Sequence, residues 1–166
     1  MATKRKAAKR PSTKRKAPSR PQDAIALLRA DHVTVSDLFD QFEKARDANR
    51  KQKLAQTICT ELKIHTTIEE EIFYPAARAA MDEEDLLDEA EVEHASAKEL
   101  IAQIEGGSPG DEKWDAKVTV LGEFIKHHVK EEQNEMFPKV RKTQRDRKAL
   151  GEQLRTRKDE LAATDL

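Results

Sequence analysis

Two stretches decide how this chain is read: His65-Thr-Thr-Ile-Glu69-Glu-Glu-Ile-Phe-Tyr-Pro75 and His128-Val-Lys-Glu-Glu132-Gln-Asn-Glu-Met-Phe-Pro138. Each is a His-x-x-x-Glu with a proline ten residues after the histidine, and each follows a lone histidine, His32 or His94, by 33 or 34 residues. Residues four apart project from one side of a helix, so each pair aims an imidazole and a carboxylate at a single point. The duplicated pattern predicts a dinuclear metal site with His32, His65, Glu69, His94, His128 and Glu132 as its ligands.

Around these residues the apolar positions recur at helical spacing. Ile25, Leu28, His32, Val35, Leu38, Phe39 and Phe42 share one face of a helix that begins near Asp23 and ends near Asp47-Ala-Asn49. Leu54, Ile58, Leu62, His65, Ile68, Glu69 and Ile72 stripe a second helix running from about Arg50 toward Ala80, which Pro75 should kink or break. Asp82 is the expected N-cap of a third helix carrying Leu86, Leu87, Ala90, His94, Ala97, Leu100, Ile101 and Ile104, and Gly106-Gly-Ser-Pro-Gly110 should stop it. Asp111 is the expected cap of a fourth, whose inward face reads Trp114, Val118, Leu121, Phe124, Ile125, His128 and Glu132. Short connections make antiparallel neighbours, so the predicted fold is all-α, an up-and-down four-helix bundle.

His127 competes with His128, because His127 and Glu131 are also four apart. The spacing to the proline favours His128: an extra residue inside one helix would rotate the ligands by about 100°. His127 is therefore expected to be exposed or in a supporting role.

The six ligands lie on the apolar stripes, where an unpartnered carboxylate is costly, and bound cations would offset that cost. Imidazole and carboxylate donors together suit iron, zinc or manganese. A ferritin-like centre would want carboxylates from every helix and two Glu-x-x-His motifs. Only Glu91-x-x-His94 is in a credible place, and the first helix offers Asp31 or Asp37 instead of a core glutamate.

Composition divides the chain in three. Residues 1–21 should form a disordered basic tail: residues 1–20 hold nine of the 31 Lys and Arg, no acid, and no Val, Ile, Leu or Phe. The rest keeps 22 basic against 32 acidic residues, an excess of ten negative charges. Residues 22–140 hold the four helices, and 141–166 are a charged extension in which a short helix around Ala149 to Leu161 is expected to stay out of the core. No apolar run suits a secretory signal or a membrane span, and Cys59 stands alone, so the expected location is cytoplasmic. The clusters Lys4-Arg-Lys6, Lys9-Arg10 and Lys14-Arg-Lys16 are similar to the tails of nucleoid proteins, and would bind nucleic acid through phosphates without reading bases.

In the order His, His-x-x-x-Glu, His, His-x-x-x-Glu, residues 22–140 resemble the hemerythrin-like HHE cation-binding domain. That resemblance implies a non-haem centre of two iron ions in a four-helix bundle, with Glu69 and Glu132 bridging. The residues themselves suggest two imidazoles for each ion. The oxygen-carrying members have a further histidine one turn after the third-helix ligand, where this chain has Lys98, and a protonated lysine is no ligand. The resulting expectation is an open position on one iron and a protein that handles a small oxidant (dioxygen, peroxide or nitric oxide) in oxidative or nitrosative stress. The alternative is a non-catalytic iron or oxygen sensor or iron store, brought to DNA by the tail. Tyr74 is expected to be a packed ring.

Overall fold

The structure, a computed structural model, describes residues 22–164, and the basic tail expected over 1–21 lies outside them. Among the described residues there is no strand. Helix α1 spans Ala24–Lys44 and opens at Asp23, whose carboxylate accepts from the Ala26 N–H at 2.9 Å, satisfying one of the donors a helix start leaves free. Helix α2, Ala48–Ile68, is capped in the same way by Asp47 and runs back along α1.

Pro75 does not break the second helix. A turn of π-helix, Glu69–Phe73, links α2 to α3, Tyr74–Ala80. Proline lacks an N–H and its ring crowds the carbonyl four residues back. Widening one turn lets the Tyr74 N–H reach the Glu69 carbonyl five residues back, and the helix continues past Pro75. The second repeat does the same: α5, Trp114–Glu131, passes through a π turn at Glu132–Met136, where the Phe137 N–H bonds the Glu132 carbonyl, into α6, Phe137–Thr143. Both π turns begin on the glutamate of a His-x-x-x-Glu.

Between the repeats lies α4, Glu84–Glu105, which ends at Gly106. Two expected caps differ. Glu83, not Asp82, occupies the cap position of α4 and makes no side-chain bond there. Asp111 instead closes the preceding loop by accepting from the Ser108 N–H at 2.8 Å, and Lys113, at φ 63°, leads into α5. Phe124, placed inward by periodicity, is 47% exposed, because Leu121 and Ile125 already face the core on either side of it.

The largest departure is α7, Arg147–Ala162, a fifth helix that packs across α1 and α2. Leu150, Leu154 and Leu161 return to one face at 100° per residue and join Ile25, Leu28, Phe73 and Phe137 in one apolar cluster. It belongs to the core because three leucines suffice on a helix whose other faces are solvated; burying each contributes about 1.5–3 kcal/mol. A second cluster fills the opposite end of the bundle, where the buried Trp114 indole N–H donates to the Ile104 carbonyl at 3.0 Å. Between the two clusters lies a buried polar layer.

Candidate metal centre

All six side chains singled out by the sequence meet in that layer, each no more than 7% exposed. His32 comes from α1, His65 from α2, His94 from α4 and His128 from α5, while Glu69 and Glu132 are the first residues of the π turns. The wide turn sets each glutamate beside its histidine without altering the i,i+4 pairing. The Nε2 atoms of His32 and His65 are 3.2 Å apart, as are those of His94 and His128. Glu69 spans the two pairs, with Oε1 3.0 Å from His65 Nε2 and Oε2 3.1 Å from His94 Nε2. Glu132 does likewise, at 3.5 Å from His32 and 3.1 Å from His128.

Every imidazole is held from behind through Nδ1. Asp31 lies 3.1 Å from His65, Glu70 3.0 Å from His94 and Glu93 2.5 Å from His128, while the Gln133 carboxamide meets His32 at 2.8 Å. The three carboxylates place the Nδ1 protons of His65, His94 and His128 outward and turn their Nε2 lone pairs inward, the tautomer that ligates a cation, while at His32 the Gln133 amide nitrogen faces Nδ1. Cations back two of the carboxylates. Lys98 Nζ donates to both Glu70 oxygens at 2.7 and 2.6 Å, and Lys158 of α7 pairs with Asp31. Lys98 thus points away from the layer, toward the support of His94.

The position expected to stand open is met by Tyr74, which is more than a packed ring. Its ring is buried and its hydroxyl lies 3.0 Å from Glu132 Oε2, 3.2 Å from His94 Nε2, 3.3 Å from Glu69 Oε2 and 3.4 Å from His128 Nε2. The equivalent residue of the second repeat is Phe137, stacked on His32 at 5.9 Å between centroids and 4° between planes. The repeat is therefore symmetric in its imidazoles and asymmetric in one oxygen.

Charge agrees with geometry. Burial disfavours the imidazolium of His65, yet the Glu69 charge and Asp31 overcome it and hold its pKa well above the usual value. Burial is likewise overcome at His94 by Glu69 and Glu70, and at His128 by Glu132 and Glu93, which raise the latter to about 10. Glu69 is buried, but its imidazole neighbours hold it well below the ordinary carboxylate range. Tyr74 is pushed well above its usual value by burial and by Glu132 and Glu69, so in this field its hydroxyl keeps its proton. Such a layer favours positive charge.

The residues fit a pair of cations. Glu69 Oε1 and Glu132 Oε1 are buried and make no well-aligned hydrogen bond, facing only the Nε2 atoms of His65 and His32, an arrangement that a cation between oxygen and nitrogen would satisfy. Two nitrogens 3.2 Å apart subtend about 100° at an ion roughly 2.1 Å from each, an ordinary ligand angle. The donors fall into two groups that could each hold an ion: His32, His65, Glu69 and Glu132, and Glu69, His94 and His128. The ferritin-like alternative is not assembled: Glu91 and Asp37 are exposed, and Asp31, though buried, sits behind His65 at Nδ1 and not among the inward-facing donors.

A sequence profile described as the Hemerythrin HHE cation binding domain matches residues 23–140. The chain belongs to that family. The hemerythrin-like fold also appears in a hemerythrin HHE cation-binding domain-containing protein of Mycobacterium kansasii, with a TM-score of 0.72 at 23% identity over 84% of this chain and 87% of that one. A protein of Nostoc sp. named as a DNA nickase is 30% identical over 115 residues, which is 69% of this chain and 32% of that protein. This hemerythrin-like chain thus spans about a third of that relative's length.

Sequence reasoning missed Glu93, Gln133 and Lys158, read Glu70 as part of a solvated face and Tyr74 as a packed ring, and weighed Asp31 only for the ferritin-like centre. Asp31 and Glu93 each precede a lone histidine, Glu70 and Gln133 each follow a ligand glutamate, and Tyr74 stands where the repeat has Phe137, so adjacency was a signal for the first four and the broken symmetry one for the tyrosine. No signal in the chain marked Lys158.

Proposed function

We propose that this hemerythrin-like domain holds two iron ions, bridged by Glu69 and Glu132, and handles a small oxidant such as dioxygen, peroxide or nitric oxide. The observation that carries the reading is the span of each carboxylate across both imidazole pairs. Imidazole, carboxylate and phenol donors also suit zinc or manganese, and the resemblance to hemerythrins selects iron. When bound, iron supplies one-electron redox chemistry and a position for an oxygen-containing ligand.

The protein's own residues make the two halves unequal. His94, His128, one oxygen each of Glu69 and Glu132, and the Tyr74 hydroxyl form a five-donor half. His32 and His65 with the other two oxygens form a four-donor half, because Phe137 brings no oxygen there. A cleft of about 470 Å³ between α1 and α5, walled by Phe39, Gly122, Ile125 and Val129, reaches His32. The oxidant is assigned to that half. Asp31, Glu70, Glu93 and Gln133 hold the imidazoles in place, and the three carboxylates accept or return an Nδ1 proton as charge at the centre changes.

Metal analysis after desalting tests this directly. Two ions per chain are expected; Glu69→Ala or Glu132→Ala should lose most of both, and His127→Ala should keep both. One ion per chain, or full loading in both glutamate variants, would overturn the two-ion reading. Peroxide consumption by the iron-loaded protein then separates a catalyst from the sensor or store, which needs no turnover.

A second reading, association with DNA, rests on the nine Lys and Arg of residues 1–20 and on the name of the Nostoc relative.

A further inference from the structure

Helix α5 carries a second His-x-x-x-Glu one residue out of phase with the first. His127 and Glu131 point outward where His128 and Glu132 point inward, and His127 Nε2 lies 3.1 Å from Glu131 Oε1. An i,i+4 pair of this kind on a helix surface is ordinarily solvated. Here a third donor arrives from another helix: Glu93 of α4 places Oε1 3.6 Å from the same His127 nitrogen. One atom from each of the three lies within 4.8 Å of the others, and the side chains are 28–65% exposed.

We propose that Glu93, His127 and Glu131 form an outer site for one divalent transition-metal ion, a docking position on the surface directly behind His128. The two carboxylates and the imidazole match the donor chemistry of iron(II), zinc or manganese, with water completing the shell. Glu93 is ordered before any ion arrives. Its other oxygen, Oε2, is engaged by His128 Nδ1 at 2.5 Å, which leaves Oε1 turned toward His127. Because the two contacts use different oxygens of one carboxylate, outer and inner sites can be filled together. Glu93 is then the single side chain between a surface cation and a ligand of the inner centre. The class of cation rests on the reading of the inner centre above; the existence of the outer site does not.

The test is calorimetric titration of Zn²⁺ into the metal-free full chain, for wild type, His127→Gln, Glu131→Gln and Glu69→Gln. Wild type should bind three ions, the third roughly tenfold or more weakly, since three exposed donors compete with water. His127→Gln and Glu131→Gln, both altered on the surface, should each lose the weak ion and keep the tight ones. Glu69→Gln should keep the weak ion while losing tight binding. Identical stoichiometry and affinities in wild type, His127→Gln and Glu131→Gln would overturn the outer site and leave the two-ion centre standing. A wild type with only a weak ion that disappears in His127→Gln would uphold the outer site and overturn the two-ion centre.

Discussion

At the residue scale, the ligand imidazoles compete for protons and metal. His65, His94 and His128 have folded pKa values above the usual 6.5, His128 at about 10. A raised imidazole adds stability that is fully present below its unfolded value and is lost as pH rises through the folded one. The metal-free domain is therefore stabilised at neutral pH by imidazolium–carboxylate pairs, and loses that contribution toward alkaline pH. Ligation requires neutral rings, so loading at pH 7 should release protons and tighten as pH rises. Titration in two buffers of different ionisation enthalpy counts those protons, and zero release would contradict the charge state described. Unperturbed histidines would place acid loss near pH 6–7; the carboxylates around these rings move its onset upward. Glu69 and Glu132, held below the ordinary range, stay ionised throughout that window.

At the scale of elements, periodicity located the four bundle helices and erred where another force intervened. Pro75 and Pro138 break nothing because a π turn absorbs each, and periodicity at 3.6 residues per turn has no term for a turn one residue wider. Phe124 fell on an inward phase, yet Leu121 and Ile125 fill that space. For α7 the apolar stripe was present but thin, and what makes it core is a surface on α1 and α2 that no local pattern displays. Its approach is close: a Cβ at Gly151 would lie 2.2 Å from the Gln22 carbonyl oxygen and 2.9 Å from the Ala24 nitrogen. Backbone atoms cannot yield as a side-chain end can, so Gly151→Ala should push α7 outward at a cost of about 1–3 kcal/mol. A fall of several degrees in the melting temperature of the metal-free protein is expected, together with weaker metal retention as the Lys158 to Asp31 to His65 chain loosens. An unchanged melting temperature would show that α7 docks less closely than this.

Across the whole molecule, charge is segregated: the first 20 residues carry nine positive charges and the remainder an excess of ten negative. On the DNA-association reading, the full chain should bind duplex DNA without sequence preference and lose affinity steeply with salt, with a log-log slope of roughly −5 for five or six phosphate contacts. A chain starting at Asp23 should keep its metal and lose that binding; equal affinity in a filter or anisotropy assay would move DNA contact to the acidic body. Among the described residues no helix is long and apolar enough to cross a membrane. The donor inventory, the helix carrying each donor and the inward phase of all six were legible along the chain, because spacing along one helix fixes direction around its axis. The sequence also separated His128 from His127, since the ten residues to the proline lie inside one helix and only His128 repeats the spacing of His65 to Pro75. The packing of the helices was needed to bring Glu69 and Glu132 within reach of both imidazole pairs, which the resemblance alone had implied, to set Tyr74 in one half and Phe137 in the other, and to stand Asp31, Glu70 and Glu93 behind the rings. Those relations are distances between helices, fixed by how side chains of different elements interlock. Periodicity along one helix carries no information about the helix that faces it.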